Sequence, residues 1–425
     1  MLRIYEKSNI DELYKKLKTR KNAEFSKILK TAGEIIDDVK NNGDKAVRGY
    51  TKKFDGIDLE DFYMGEDEIN QIYAKCDKNL VKIMEKAARN IEEYHKKQIQ
   101  NSYIITKDGI ILGQRILPIE RAAMYVPGGT AVYPSSMLMN AIPAKIAGVK
   151  DISVFTPPKK EGINPGVIAA AKICGINKII KAGGAQGIAA AAYGTESIQK
   201  SDKIVGPGNA YVAAAKKLVY GEVDIDMIAG PSEILIIADK SANPKYIAAD
   251  LMSQAEHDVL ASAVFITDNK EIIDKVNKEI ERQIKNLSRG EIIKESLKNY
   301  GGCVICNSIT EAIELANDIA PEHLELAVEN CFERLNSVKN AGSVFLGDYS
   351  PEPLGDYFAG TNHILPTNGT ARFASPLGVD SFVKKSSFIY YSKEKLKEES
   401  EDIIEFANSE KLTAHANSIK TRFDI

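Results

Sequence analysis

Along the first hundred residues, apolar positions recur every three to four places. They fall at Ile10, Leu13 and Leu17, at Ile28, Ile35 and Val39, and at Ile69, Ile72, Tyr73, Leu80, Ile83, Ala87, Ile91 and Tyr94. That spacing predicts amphipathic helices. Ser8-Asn9-Ile10-Asp11 is close to a capping box, with Asp in place of Glu. His95 closes the last helix among Lys96 and Lys97 and reads as a solvated helix-end imidazole, a place the helix dipole favours for His⁺. The period then shortens. Tyr103–Thr106 and Ile110–Leu112 flank Asp108-Gly109, a two-residue hairpin signal. Beyond it, short apolar runs alternate with Ala-rich segments. Strands are expected at Ala122–Val126, Ile152–Thr156, Ile179–Ala182, Lys203–Val205, Ile234–Asp239, Ala263–Thr267, Cys303–Cys306 and Ser343–Leu346, with helices between most of them. This alternation implies βαβ units and largely parallel sheets. After Pro376 the pattern breaks into a short strand, Phe388–Tyr391, and a charged helix from Lys393.

A chain of 425 residues exceeds one ordinary core, and about two to three lobes are expected. Lys and Arg number 56 against 59 Asp and Glu, a net charge of -3 that argues against a nucleic-acid footprint. No apolar run approaches the ~20 residues of a membrane span. The start, Met1 to Lys7, lacks a signal-peptide core, so a cytoplasmic location is expected. Five cysteines do not make a disulfide framework in so long a chain. Cys303-Val304-Ile305-Cys306 reads as a strand with buried thiols.

The candidate chemistry concentrates on histidine. Four of the five histidines lie in short polar motifs of the second half. The run Pro244–Asp258 reads as an amphipathic helix, on which Gln254 and His257, three apart, share a face and can reach one cation. Asp356 lies in Pro351–His363, a stretch whose prolines and glycines are expected to hold it away from regular structure. His415 follows Leu412-Thr413-Ala414 in the terminal stretch. Gln, His, Asp and His supply two nitrogens and two oxygens, a set zinc accepts. In Pro321-Glu322-His323, proline stops the helix Glu311–Ile319 and is expected to expose the next side chains at a sheet edge, where Glu322 and His323 can act as base and proton shuttle. Three glycine turns, Pro127-Gly128-Gly129, Gly183-Gly184-Ala185-Gln186-Gly187 and Gly206-Pro207-Gly208-Asn209, each follow a strand and open a helix. That is where α/β sheets bind nucleotide or phosphate ligands. None reads G-x-G-x-x-G, so spacing alone does not name the ligand.

Taken together, Tyr125-Val126-Pro127-Gly128-Gly129, Gly206-Pro207-Gly208-Asn209, Ala229-Gly230-Pro231-Ser232-Glu233, Gln254-Ala255-Glu256-His257, Ala320-Pro321-Glu322-His323-Leu324-Glu325, Gly360-Thr361-Asn362-His363-Ile364-Leu365-Pro366 and Leu412-Thr413-Ala414-His415 resemble the histidinol dehydrogenase family. The resemblance implies an α/β fold with two Rossmann-like doubly wound lobes, a helical N-terminal extension and a small swapped C-terminal appendage. The expected parts are an arm over residues 1–23, a large lobe from 24–124 and 234–377 carrying zinc and catalytic residues, an NAD-binding lobe over 125–233, and an appendage over 378–425 that reaches the partner subunit's site. It further implies oxidation of L-histidinol to L-histidine in two NAD-dependent steps through bound L-histidinal, the last step of histidine biosynthesis. One Zn²⁺ per subunit and a homodimer with shared sites go with that activity. By the same resemblance Gln254, His257, Asp356 and His415 are the zinc ligands, the last from the partner, and these four also meet the substrate. Glu322 and His323 are the acid–base pair. Ser232, His323, His363 and Glu410, with Ser135 as a weaker candidate, are substrate contacts, and Tyr125, Gln186 and Asn209 are NAD contacts.

Two other classes use some of the same residues. A zinc hydrolase would employ Glu, His and a cation for water activation, but it has no need of the glycine turns. A zinc-stabilised scaffold would carry a closed shell of thiolates or imidazoles, which this set is not.

Overall fold

The computed structural model describes every residue except 1, 7, 21–22, 129–132 and 425. Gly129 of the first glycine turn therefore lies outside the described residues. The chain divides into two compact units, residues 1–98 with 119–382, and residues 99–118 with 383–425.

The first unit holds two parallel sheets of the same winding. In the smaller, the spatial order is Ile179–Ile180, Asp151–Phe155, Arg121–Tyr125, Lys203–Val205, Asp224–Ile225. In the larger it is Ile4–Tyr5, Gly301–Ile305, Ser262–Thr267, Glu233–Ala238, His323–Ala327, Ser343–Leu346. Apart from the edge strand Ile4–Tyr5, each sheet starts at a central strand, extends to one side, then returns to fill the other, the doubly wound order that creates a switch point beside that central strand. Both faces are covered, so neighbouring residues of one strand serve different cores. Ile234, Ile236 and Ala238 pack into one cluster, and Leu235 and Ile237 into the opposite one. Each of these Ile and Leu side chains contributes about 1.5–3 kcal/mol by leaving water.

Asn side chains start several connecting helices. Asn243 caps Pro244–Ala255 by accepting the Lys245 N–H at 3.0 Å. Asn209 caps Ala210–Val219 by accepting the Tyr211 and Val212 N–H groups at 3.0 and 3.1 Å. The helix Ile10–Thr19 begins as its apolar spacing predicts, but without a Ser8 box; Asn9 accepts the Glu6 N–H instead. Cys303 and Cys306 are buried, as their strand pattern implies. Among the described residues no helix is long and apolar enough to cross a membrane.

His95 departs from expectation. It is 0% exposed, in the last turn of Lys78–Lys96. Its Nδ1–H donates to the Ile91 carbonyl at 2.8 Å, and its Nε2 lies 3.4 Å from the Asn362 amide nitrogen. The neighbouring lysines point to solvent while the imidazole turns inward, which sequence neighbours cannot reveal. Burial pushes the His95 pKa down, against the pull of the Ile91 and Leu377 carbonyls. The unfolded chain, with an imidazole titrating near ~6.5, therefore takes the proton first. His95 thus favours the folded state above that value and disfavours it as pH falls below. A His95→Gln chain is expected to lose less of its thermal midpoint between neutral and mildly acidic pH than the parent does, as followed by circular dichroism.

The second unit is a three-stranded antiparallel sheet, ordered Val383–Tyr391, Ile110–Pro118, Tyr103–Lys107, with helices Lys393–Glu398, Ser400–Ser409 and Thr413–Lys420. Lys107 pairs with Ile110 across Asp108-Gly109, so the hairpin forms where its turn chemistry placed it. Ile104, Ile389 and Phe406 stand 65%, 73% and 70% exposed, an unusual amount of open apolar surface for so small a unit.

Candidate active site

The catalytic candidates lie at the amino ends of the larger sheet. His323 opens the strand His323–Ala327 and Glu322 directly precedes it; the strand lies between Glu233–Ala238 and Ser343–Leu346. They are therefore not at a sheet edge, as the proline stop suggested, but inside, at 8% and 3% exposure. Ala320, at φ 54°, ends the preceding helix and Pro321 turns the chain straight into the sheet.

His323 Nδ1 donates to the Glu233 carbonyl at 2.9 Å. A carbonyl can only accept, so Nε2 carries the lone pair. That Nε2 is buried without a hydrogen-bond partner, 3.7 Å from Glu352 Oε1 and 3.9 Å from Asp356 Oδ1. Burial pushes the His323 pKa down, leaving the ring neutral and able to take a proton, while Asp356 pulls the other way. Glu322 Oε2 accepts the Glu233 N–H at 2.8 Å and lies 3.6 Å from His323 Nδ1. Burial, followed by the Glu233 carboxylate, holds the Glu322 carboxyl well above the ordinary range.

Asp356 lies on a short helix, Glu352–Tyr357, not on irregular chain. Pro351 and Pro353 sit at its start, where missing N–H groups cost nothing, so the prolines that suggested a loop begin a helix instead. The helix spacing places Glu352 one turn from Asp356. Glu352 was absent from the sequence-derived candidates, yet one ligand atom each from His323, Glu352 and Asp356 lie within 4.8 Å of one another. An acidic residue four places before a candidate ligand was the available signal. Glu352 is driven far upward by burial and then by the neighbouring Asp356 carboxylate.

Gln254 lies in the last turn of the helix Pro244–Ala255, which packs on Glu352–Tyr357, and its Oε1 is buried with no partner. His257 is beyond the helix end, because the turn tightens there and its N–H bonds the Gln254 carbonyl at 3.2 Å. The shared helical face is thus replaced by a capping turn. His257 remains electrostatically coupled to Asp356 and His363, and burial lowers its pKa. His363 Nδ1 donates to the Asp356 carbonyl at 2.9 Å, and its Nε2 lies 3.1 Å from the hydroxyl of Ser136, the neighbour of Ser135. Ser232 directly precedes Glu233–Ala238, with its carbonyl accepting the Ser262 N–H. Glu410 and His415 belong to the second unit and are exposed there, Glu410 at the end of Ser400–Ser409 and His415 in Thr413–Lys420.

The glycine turns lie instead at the carboxyl ends of the smaller sheet. The Tyr125 hydroxyl accepts the Gly184 N–H at 3.0 Å, and burial pushes this phenol up to about 12. Gln186 is 1% exposed with an unpartnered Oε1, whereas the Asn209 oxygen is already occupied as a helix cap, leaving its amide hydrogens as the available donors. Gly206 has φ 111°, and a Cβ there would lie 2.2 Å from the Tyr125 carbonyl oxygen. Gly206→Ala is therefore expected to destabilise the protein by about 1–3 kcal/mol or more from backbone strain and this clash, measured as the shift in a denaturant midpoint.

Two doubly wound lobes, one with glycine turns at its carboxyl edge and one with a buried imidazole–carboxylate cluster at its amino edge, define an α/β enzyme with an acid–base site suited to a cation. The family model for histidinol dehydrogenase matches residues 18–423. A histidinol dehydrogenase of Clostridium acetobutylicum is 56% identical over 427 aligned residues, covering 100% of this chain and 99% of the relative. One of Lactococcus lactis is 52% identical, covering 98% and 97%. The crystal structure of histidinol dehydrogenase from Elizabethkingia anophelis superposes with a TM-score of 0.92 at 40% identity, covering 100% and 98%. The chain belongs to the histidinol dehydrogenase family, oxidoreductases of histidine synthesis.

Proposed function

We propose that this chain oxidises L-histidinol to L-histidine in two NAD-dependent steps through a bound L-histidinal, using one zinc ion per subunit in a homodimer with shared sites. The observation that carries the reading is the set of buried lone pairs without partners. Gln254 Oε1, His323 Nε2 and Glu352 Oε1 are all orphaned; ligand atoms of His323, Glu352 and Asp356 lie within 4.8 Å of one another, and the helix carrying Gln254 packs on the one carrying Glu352 and Asp356. Orphaned buried acceptors are costly, and a cation with a bound polar substrate relieves that cost.

Gln254, His257, Asp356 and His415 of the partner subunit would hold the zinc. Zinc has no redox chemistry, and when bound it would fix the substrate's orientation. NAD, when bound, would accept one hydride in each oxidation, so that histidinol, one water and two NAD⁺ would give histidine as its carboxylate, two reduced cofactors and three protons. His323 Nε2 takes the hydroxyl proton as the first hydride leaves, because its other nitrogen is held as a donor by Glu233. The aldehyde must then add water. Glu322 has one oxygen tied to the Glu233 N–H and the other available to draw a proton from that water. General base action of this kind contributes about 10²–10⁴-fold. Ser232, His363 and Glu410 line the substrate, while Tyr125, Gln186 and Asn209 meet the cofactor. The open apolar surface of the second unit, including Ile104, Ile389 and Phe406, supports its burial against a second copy.

The test is stoichiometric. The zinc-loaded protein should form two equivalents of reduced NAD per histidinol consumed. One equivalent with free aldehyde, or no reduction at all, would remove the two-step reading.

A further inference from the structure

Glu233 lies between the two catalytic candidates and has no role in the reaction as described. Its backbone N–H donates to Glu322 Oε2 at 2.8 Å, and its carbonyl accepts from His323 Nδ1 at 2.9 Å. Its own carboxylate returns the contact by accepting the Glu322 N–H at 3.3 Å and the Asn368 N–H at 3.1 Å. The side chain is 6% exposed and forms an ion pair with Arg20, itself 2% exposed. The Arg20 guanidinium is fixed in turn by the Leu17 and Leu260 carbonyls at 3.2 and 3.4 Å. A buried charge pair is a weak source of net stability. A well-satisfied one does restrict geometry, and here the geometry belongs to Glu322.

We propose that Glu233, locked by Arg20, is a positioning residue that presents Glu322 in a single orientation, with Oε2 engaged and the other carboxylate oxygen free for the reaction. The inference rests on the two-step reading above. The two catalytic residues depend on the brace unequally. His323 is held by a carbonyl that the strand pairing fixes independently, since His323 and Ile234 are register partners. Glu322 precedes that strand and exchanges hydrogen bonds with Glu233 in both directions. Loosening the brace therefore affects Glu322 more than His323, and hydration of the aldehyde more than the first oxidation.

Two variants of the zinc-loaded full chain test this. Glu233→Asp keeps the charge pair but withdraws the carboxylate by one methylene. Arg20→Met/Glu233→Gln removes both charges together and leaves none buried alone, so at least one of the two should fold. Histidinal oxidation is measured in steady state, and the first hydride transfer from histidinol in a single turnover. The expected result is a fall in kcat with histidinal of about 10- to 100-fold at little-changed KM, with the first transfer changed less than about threefold. Equal losses in both half-reactions would mark Glu233 and Arg20 as merely structural and overturn the proposal, as would no loss in either. Failure of the parent reading is separately visible, because the unmodified protein would then not oxidise histidinal at all.

Discussion

Replacing Glu322 with Gln will leave the oxidation of histidinol to histidinal largely intact and slow the oxidation of histidinal by about 10²–10⁴-fold. Gln fills the same volume, and its oxygen can still accept the Glu233 N–H now taken by Glu322 Oε2. What it loses is the ability to hold a proton drawn from water. The first oxidation does not need that ability. An alcohol already carries the hydroxyl whose proton must leave, and His323 Nε2, unpartnered and neutral, is placed to take it. The second oxidation starts from an aldehyde, which has no such hydroxyl until water adds. Assays with histidinol and with histidinal, run separately, distinguish the two. Equal losses would take Glu322 out of the hydration step and leave it as a scaffold for His323.

Most of the strand positions were legible because the sequence punctuates them. Ile234–Asp239 and Ala263–Thr267 are unbroken β-branched or apolar runs closed by polar residues, and the strands Glu233–Ala238 and Ser262–Thr267 form there. The parallel winding followed from their alternation with helices. What escaped were elements whose local signals point elsewhere. Ile4–Tyr5 is too short to show a period and is a strand only because Cys303 and Val304 pair with it. His323–Ala327 was hidden because Pro321-Glu322-His323 has the composition of a charged loop, and only its neighbours in the sheet bury it. Two prolines and a glycine masked the helix Glu352–Tyr357, and with it the contribution of Glu352.

The site shows the same division. Motif resemblance picked out the candidates Gln254, His257, Glu322, His323, Asp356 and His363 from distant segments; two helices and a strand of the first unit carry Gln254, Asp356 and His323, and the chain connecting such elements carries the other three. Sequence could not reveal that the site uses the amino edge of one sheet and the glycine turns the carboxyl edge of another. That arrangement follows from the direction of the strand His323–Ala327, which was not expected. Nor could it reveal the surroundings of Glu233, whose backbone N–H and carbonyl meet Glu322 and His323 and whose carboxylate is tied to Arg20, far away in sequence.

Subunits carrying His415→Asn and subunits carrying His257→Asn will each be nearly inactive alone, by at least about 100-fold, and will regain activity when mixed. If each site takes His257 from one chain and His415 from the other, a mixed dimer contains one site with both histidines intact and one with neither. Random reassembly makes half of the dimers mixed, so about a quarter of the parental sites return. Zinc content should rise by the same fraction, which separates restored sites from a general gain in folding. The position of His415 suits this exchange. It is exposed on the helix Thr413–Lys420, in a unit whose sheet leaves Ile104 and Ile389 open to solvent. Were the mixed preparation to stay as inactive as its parents, with dimers confirmed by mass, each subunit would have to build its zinc site from its own residues. His415 would then be a surface histidine.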